Sequence, residues 1–283
     1  MTTKRPHRLR RRTPAELDAA AAELVRLAAD RQLIAGIYNY CDRWCERCPH
    51  TARCLVFKTE QARHRKRSER AGDRDLVNQD FWEDLGESLA LALHMVRRDA
   101  KRLGVDLDAP DALAALEIEE RRRRRQSARE GSALHRAAGG YWRAAKTLLD
   151  RLPEELRATE AALNTQARLG LADPQTTAAD IRDALEVVRW YLFFIDVKLQ
   201  RAVSSRVAER AEKLDGFPSD ADATAKVALV AIDRSLAAWA RLRGHLTGEA
   251  DAILDLLVRL ERLRRAVEAE FPAARAFRRP GLD

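Results

Sequence analysis

Outside one short segment the sequence has no cysteine, and the four it contains, Cys41, Cys45, Cys48 and Cys54, all fall inside that segment. A chain built this way is not stapled along its length by disulfides. Aromatic residues are scarce at 6%, and only 12 glycines and 9 prolines punctuate 283 residues. There is no strand-period alternation, no glycine-rich phosphate loop, no Ser-His-Asp ordering and no internal repeat. The most apolar run, Trp190 to Ile195, is far shorter than the ~20 residues a membrane span requires. The basic start MTTKRPHRLRRRTPAEL leads into no continuous apolar stretch, so export is not expected and a cytoplasmic location is.

What remains is rich in Ala, Leu, Arg and Glu, the strong helix formers, with 46% apolar residues, ample for a sizeable core. The reading is an all-α multi-helix bundle of about seven or eight helices with a cysteine-rich turn after the first. Its expected organisation is a basic disordered tail over 1–12, a first helix plus a four-cysteine metal-binding turn over 13–57 and a basic loop over 58–77. A helical bundle over 78–270 and an irregular tail over 271–283 complete it.

Several boundaries are written in the residues. Thr13, Pro14 and Glu16 form a capping-box start, and the helix beyond it, carrying Leu17, Leu24, Leu27 and Ile37, is expected to run directly into the cysteines. Asp80 with Glu83 is expected to cap a second helix through Leu89, Leu93 and Val96, ended by Gly104. Helices follow from Asp111 to about Arg129 and from Ser132 to Leu152, where Pro153 should interrupt. A short one spans Glu154 to Leu169. The longest periodic pattern, Ala178 to Leu214, predicts a single central helix ended by Gly216 and Pro218. Two more are expected, from Asp222 to about Leu242 and from Glu249 to Glu270.

The formal charge is +8, with basic excess at Lys4 to Arg12, Arg63 to Arg70 and Arg121 to Arg125. Arg121 to Arg125, flanked by Glu119, Glu120 and Glu130, fits i,i+4 ion pairs on a solvated face. The basic runs keep nucleic acid or a partner protein open as partners.

The cysteine segment reads Tyr38-Asn-Tyr-Cys41-Asp-Arg-Trp-Cys45-Glu-Arg-Cys48-Pro-His50-Thr-Ala-Arg-Cys54. Core cysteines would sit among Leu and Val, whereas here Asp42, Arg43, Glu46 and Arg47 fill the gaps, which favours ligands over packing. A redox pair at Cys45 and Cys48 lacks the strand-helix-strand setting of that chemistry. If Cys41, Cys45 and Cys48 lay on one full helix, the outer two would be about 10 Å apart along its axis. The helix must therefore end near Cys45, and Pro49 disfavours helical geometry at Cys48.

Structural zinc usually takes two Cys knuckles separated by a longer loop. Four close-set thiols with no spacer are nearer the runs that wrap iron–sulfur clusters, and an i,i+4 pair with Cβ atoms about 5–6 Å apart suits a cluster. A [4Fe-4S] cluster is the expected cofactor, with Zn2+ as the alternative. His50 reads as a bystander or a donor behind the ligands.

Cys-x3-Cys-x2-Cys resembles the cluster motif of radical S-adenosylmethionine enzymes, but the barrel and open iron site which that resemblance implies conflict with the lack of strands and with a fourth cysteine. The string CDRWCERCP also resembles a segment of uncharacterised bacterial helical proteins, as do WY-x6-K around Trp190 and AKVAL-x3-DRS around Asp233. That resemblance implies no function.

Two further constellations stand out. Asp196, Arg201, Lys226 and Asp233 could form a paired internal polar network between antiparallel helices. Glu83, Glu87 and His94 share a helix face, but no Glu-x-x-His occurs, which argues against a di-iron centre. The expectation is a metalloprotein in an electron-transfer, sensing or structural role, or alternatively a zinc-stabilised module binding nucleic acid or a partner protein.

Overall fold

The computed structural model describes residues 12–68, 79–170, 173–211 and 218–283. Among them the regular structure is helical throughout: α1 Pro14–Ala28, α2 Leu55–Ser68, α3 Gln79–Arg102, α4 Pro110–Glu130, α5 Ser132–Arg168, α6 Pro174–Tyr191, α7 Phe194–Ala211, α8 Asp220–His245 and α9 Ala250–Glu270. No described helix is long and apolar enough to cross a membrane. The chain divides into two compact units, residues 1–118 with 280–283, and residues 119–279.

The second unit is built on α8, which packs against α6, α7 and α9, while α5 packs against α9, α7 and α6. Ser219 caps α8 by accepting from the Asp222 amide at 3.1 Å, and acidic residues in its first turn with basic ones in its last suit the helix dipole. Alanines at 221, 223, 225, 228, 231 and 238 are buried along it, and these small side chains let neighbouring helices approach from several sides. The large anchor is Trp239, fully buried, whose Nε1 donates to the Tyr141 hydroxyl at 3.0 Å. Burial pushes the Tyr141 phenol up to about 12, against the lowering effect of that hydrogen bond.

Two boundaries differ from expectation here. The single central helix over 178–214 is instead α6 and α7, parted at Leu192 and Phe193, and residues 212–217 with Gly216 lie outside the described residues. Neither Pro nor Gly stands at the break, so the apolar periodicity passes straight through it. Conversely, Pro153 does not interrupt: α5 runs unbroken from Ser132 to Arg168. Leu148 and Leu152 are buried while Pro153 is exposed, so the proline ring lies on the outer side of the helix. Residues 271–283 are irregular apart from one short turn, Ala274–Ala276, yet the first of them are firmly docked. Phe271 and Ala274 are buried, and Arg275 donates to Glu268 at 2.8 Å and to Asp233 at 2.5 Å.

In the first unit α1 packs against α3. The capping box is present, with the Thr13 amide donating to Glu16 at 2.8 Å. Arg12 is ion-paired with Glu87, so the expected disordered tail stops short of it; residues 1–11 lie outside the described residues. The helix does not run into the cysteines but ends at Ala28. The Asp30 side chain accepts from the Gln32 amide at 2.9 Å and its carbonyl from the Leu33 amide at 3.0 Å, a local alternative that competes with helix continuation. The expected basic loop over 58–77 is helical as far as Ser68, within α2, and its remainder, residues 69–77, lies outside the described residues. On α3, Leu89, Leu93 and Val96 are 62%, 49% and 55% exposed.

Candidate metal centre

The cysteines sit in a loop closed at its base. The Ile34 amide donates to the Arg53 carbonyl at 2.9 Å, and Arg53 Nε donates to the Gln32 carbonyl at 3.2 Å. Within it the backbone makes three short 3-10 turns, Ile37–Asn39, Cys45–Arg47 and Thr51–Arg53. Gly36 enters the first at φ +73°, a conformation natural to glycine, and Ile37 plugs the loop from beneath at 2% exposure.

Each turn delivers a thiol. Cys45 opens the second turn and Cys48 closes it, the Cys48 amide donating to the Cys45 carbonyl at 3.2 Å. Cys54 closes the third in the same way, donating to the Thr51 carbonyl at 3.2 Å, and its own carbonyl receives Lys58 at 3.0 Å as α2 begins. Cys41 follows the first turn, its Sγ 3.7 Å from the Tyr38 carbonyl. Because Cys41 is not helical, the i,i+4 spacing inferred for Cys41 and Cys45 does not apply.

Two backbone amides are aimed at sulfur. The His50 amide donates to Cys48 Sγ at 3.4 Å, and the Arg43 amide donates to Cys41. Arg43 reaches this position at φ +60°, the one non-glycine residue in that region among the described residues. Strain of this kind persists where surrounding structure demands it. Amides aimed at sulfur stabilise the thiolate and tune a metal bound to it. The Trp44 amide is held by Asp42 Oδ1 at 3.2 Å, and the Arg47 guanidinium lies 4.1 Å from the centre of the Trp44 ring.

All four cysteines are free thiols, half-buried, and line one pocket with Tyr38, Trp44 and Phe57. Its volume is about 20 Å³, little more than one water-sized sphere. Burial raises the Cys41 thiol above its ordinary value, opposed by the Arg43 amide and charge. Burial raises Cys45 as well, reinforced first by neighbouring Cys41. Without an electrophilic partner both are protonated at neutral pH, unlike reactive thiolates. Among the described residues no group of three or more His, Cys, Asp or Glu side chains is gathered as the ligand set of an ion. The thiols share a space without being drawn onto a common point.

The other constellations separate. Asp196 accepts from His135 at 2.8 Å and from Gln200 at 3.2 Å. Arg201 instead pairs with Asp220 at 2.7 Å. Lys226 donates to the Arg275 carbonyl at 2.8 Å, and Asp233 pairs with the Arg275 guanidinium. The expected single network of Asp196, Arg201, Lys226 and Asp233 is therefore three separate sets. Two of the four meet, both through Arg275, and they hold the chain end rather than line a pocket. Arg275 lies in a segment with no helical pattern, so periodicity offers no sign of it. Of the carboxylate–histidine face, Glu87 is taken by Arg12 and His94 sits 2.7 Å from Asp18.

Together these features define an all-helical protein with a four-thiol pocket on a closed loop of short turns. No family model, curated protein or solved structure matches the chain.

Proposed function

We propose that Cys41, Cys45, Cys48 and Cys54 ligate one [4Fe-4S] cluster in a cytoplasmic protein that uses it for outer-sphere electron transfer, for sensing, or as a structural core. The observation that carries this reading is that every cysteine of the chain lines a single pocket. Two backbone amides directed at sulfur support it, because they stabilise the thiolate form that a metal binds. Four thiolates saturate the irons, which disfavours substrate binding at the metal.

The zinc alternative, a helical module binding nucleic acid or a partner protein, is favoured by one observation. The pocket volume of about 20 Å³ is on the scale of a single ion. Both readings require the thiols to lose protons on loading, so metal affinity falls as pH falls.

Anaerobic purification with elemental analysis separates them. A brown protein with broad visible absorption and equal amounts of iron and acid-labile sulfide supports the cluster. A colourless protein with one equivalent of zinc supports the alternative, and salt-dependent retention on nucleic acid then supports its binding role. Protein with neither zinc nor iron, or metal content unchanged in Cys48→Ala, overturns both.

A further inference from the structure

A cavity of about 410 Å³ opens where the junction of α4 and α5 meets α7, wholly within the second unit. That volume is in the range of small-molecule sites. Its floor is apolar, formed by the buried side chains of Leu134, Leu199 and Val203. Gly131 lets the two walls close: a Cβ there would lie 3.0 Å from the Ser127 carbonyl and 3.3 Å from a Val203 methyl.

The rim has the opposite character. Hydroxyls of Ser127, Ser132 and Ser204 and the side chains of His135, Arg124 and Arg136 surround the opening, and none of the described lining residues is acidic. Carboxylates stand just behind two of these groups, Glu120 on Arg124 and Asp196 on His135, so the charge the rim has left for a ligand is that of Arg136. Arg124 is already paired with Glu120 at 2.7 Å, whereas Arg136 is in no ion pair among the described residues. One uncommitted guanidinium matches one negative charge, and its planar fork matches a carboxylate.

Asp196 prepares the third donor. Its side chain is 13% exposed and holds His135 Nδ1 at 2.8 Å, while Gln200 donates to the same carboxylate at 3.2 Å. With Nδ1–H donated to the carboxylate, Nε2 is the ring nitrogen left for a ligand, and it donates to a carboxylate once the ring takes up a second proton. Asp196 is thus a positioning residue for His135.

We propose that this cavity binds a small organic acid, a single carboxylate carried on an apolar body, through Arg136 and His135 at the rim and Leu134, Leu199 and Val203 at the floor. The site is independent of the cysteine centre.

Calorimetric titration of the full chain tests it, with benzoate, hexanoate, acetate, benzyl alcohol and sulfate as probes at constant ionic strength. Benzoate or hexanoate should bind saturably, and acetate and benzyl alcohol about tenfold or more weaker, because each lacks one half of the recognition. Arg136→Glu should weaken benzoate by at least about tenfold, and Ser204→Trp, which fills an exposed edge of the cavity, should abolish binding with the helical spectrum unchanged. Asp196→Asn should weaken carboxylates while leaving the weak alcohol binding where it was, an effect a merely structural role would not divide this way. Absence of saturable binding by any carboxylate, sulfate binding as tightly as benzoate, or benzoate binding unchanged in Arg136→Glu would each overturn the proposal.

Discussion

The two units of this chain bury apolar surface very differently. Ala21 and Ile37 are the buried hydrophobic residues of the first unit among those described, and the rest of the described core, from Leu134 to Ala274, lies in the second. On α3 of the first unit Trp82, Leu85, Leu89, Leu93 and Val96 are all exposed, as is Leu103 just beyond it. On α8 of the second, Trp239, Leu229, Ile232 and Leu242 are at zero exposure. Regions with little core depend on a metal, a disulfide or a partner to stay folded. The first unit is also the one that contains every cysteine, and none is in a disulfide. A bound metal there would serve as the missing core, which makes folding and metal binding one equilibrium.

The comparison can be broken in several places. Its largest expected effect is Cys48→Ala, which should remove the bound metal and melt the loop of short turns in the first unit while the transition of the second unit stays in place; metal analysis beside a thermal scan reads both. Trp239→Ala should act in reverse, destabilising the second unit by about 3–5 kcal/mol with metal content unchanged, as denaturant titration would show. Tyr141→Phe leaves the Trp239 indole without its acceptor in the core, at a cost of about 1–3 kcal/mol.

The same tyrosine gives a pH dependence. Its folded-state value is raised to about 12, so folding favours the neutral phenol. Its contribution is whole below the ordinary value of about 10 and is lost as pH rises through about 12. Alkaline titration should show phenolate absorbance from Tyr141 appearing together with unfolding of the second unit. The smallest effect is expected of Leu89→Ala on exposed α3, a stability change within about 0.5 kcal/mol.

Helix identity is legible in the letters because caps act locally. Thr13 with Glu16 appears where the residues place it, whereas the Asp173 cap starts α6 at Pro174, ahead of the start expected at Ala178. Boundaries set by packing are not. The parting of α6 and α7 has no Pro or Gly to mark it, and Pro153 sits harmlessly on the wet side of α5. Periodicity also cannot separate an apolar stripe that meets a core, as on α8, from one that meets solvent, as on α3.

The candidate centre is legible as a set of residues, since four cysteines among charged neighbours stand out, and in the extended backbone that Pro49 imposes at Cys48. The rest of its backbone is not: the α1 stop at Ala28 depends on how Asp30 captures amides, and the three 3-10 turns have no sequence period. The His135 cavity has no signature in the letters because its donors come from three helices and share no motif.

The claim that a metal stands in for a core is tested most directly by segment-resolved hydrogen exchange on the purified protein before and after chelation. Residues 34–58 should lose protection when the metal is removed, while α8 keeps its own. Protection of the cysteine loop that is the same with and without metal would contradict the account.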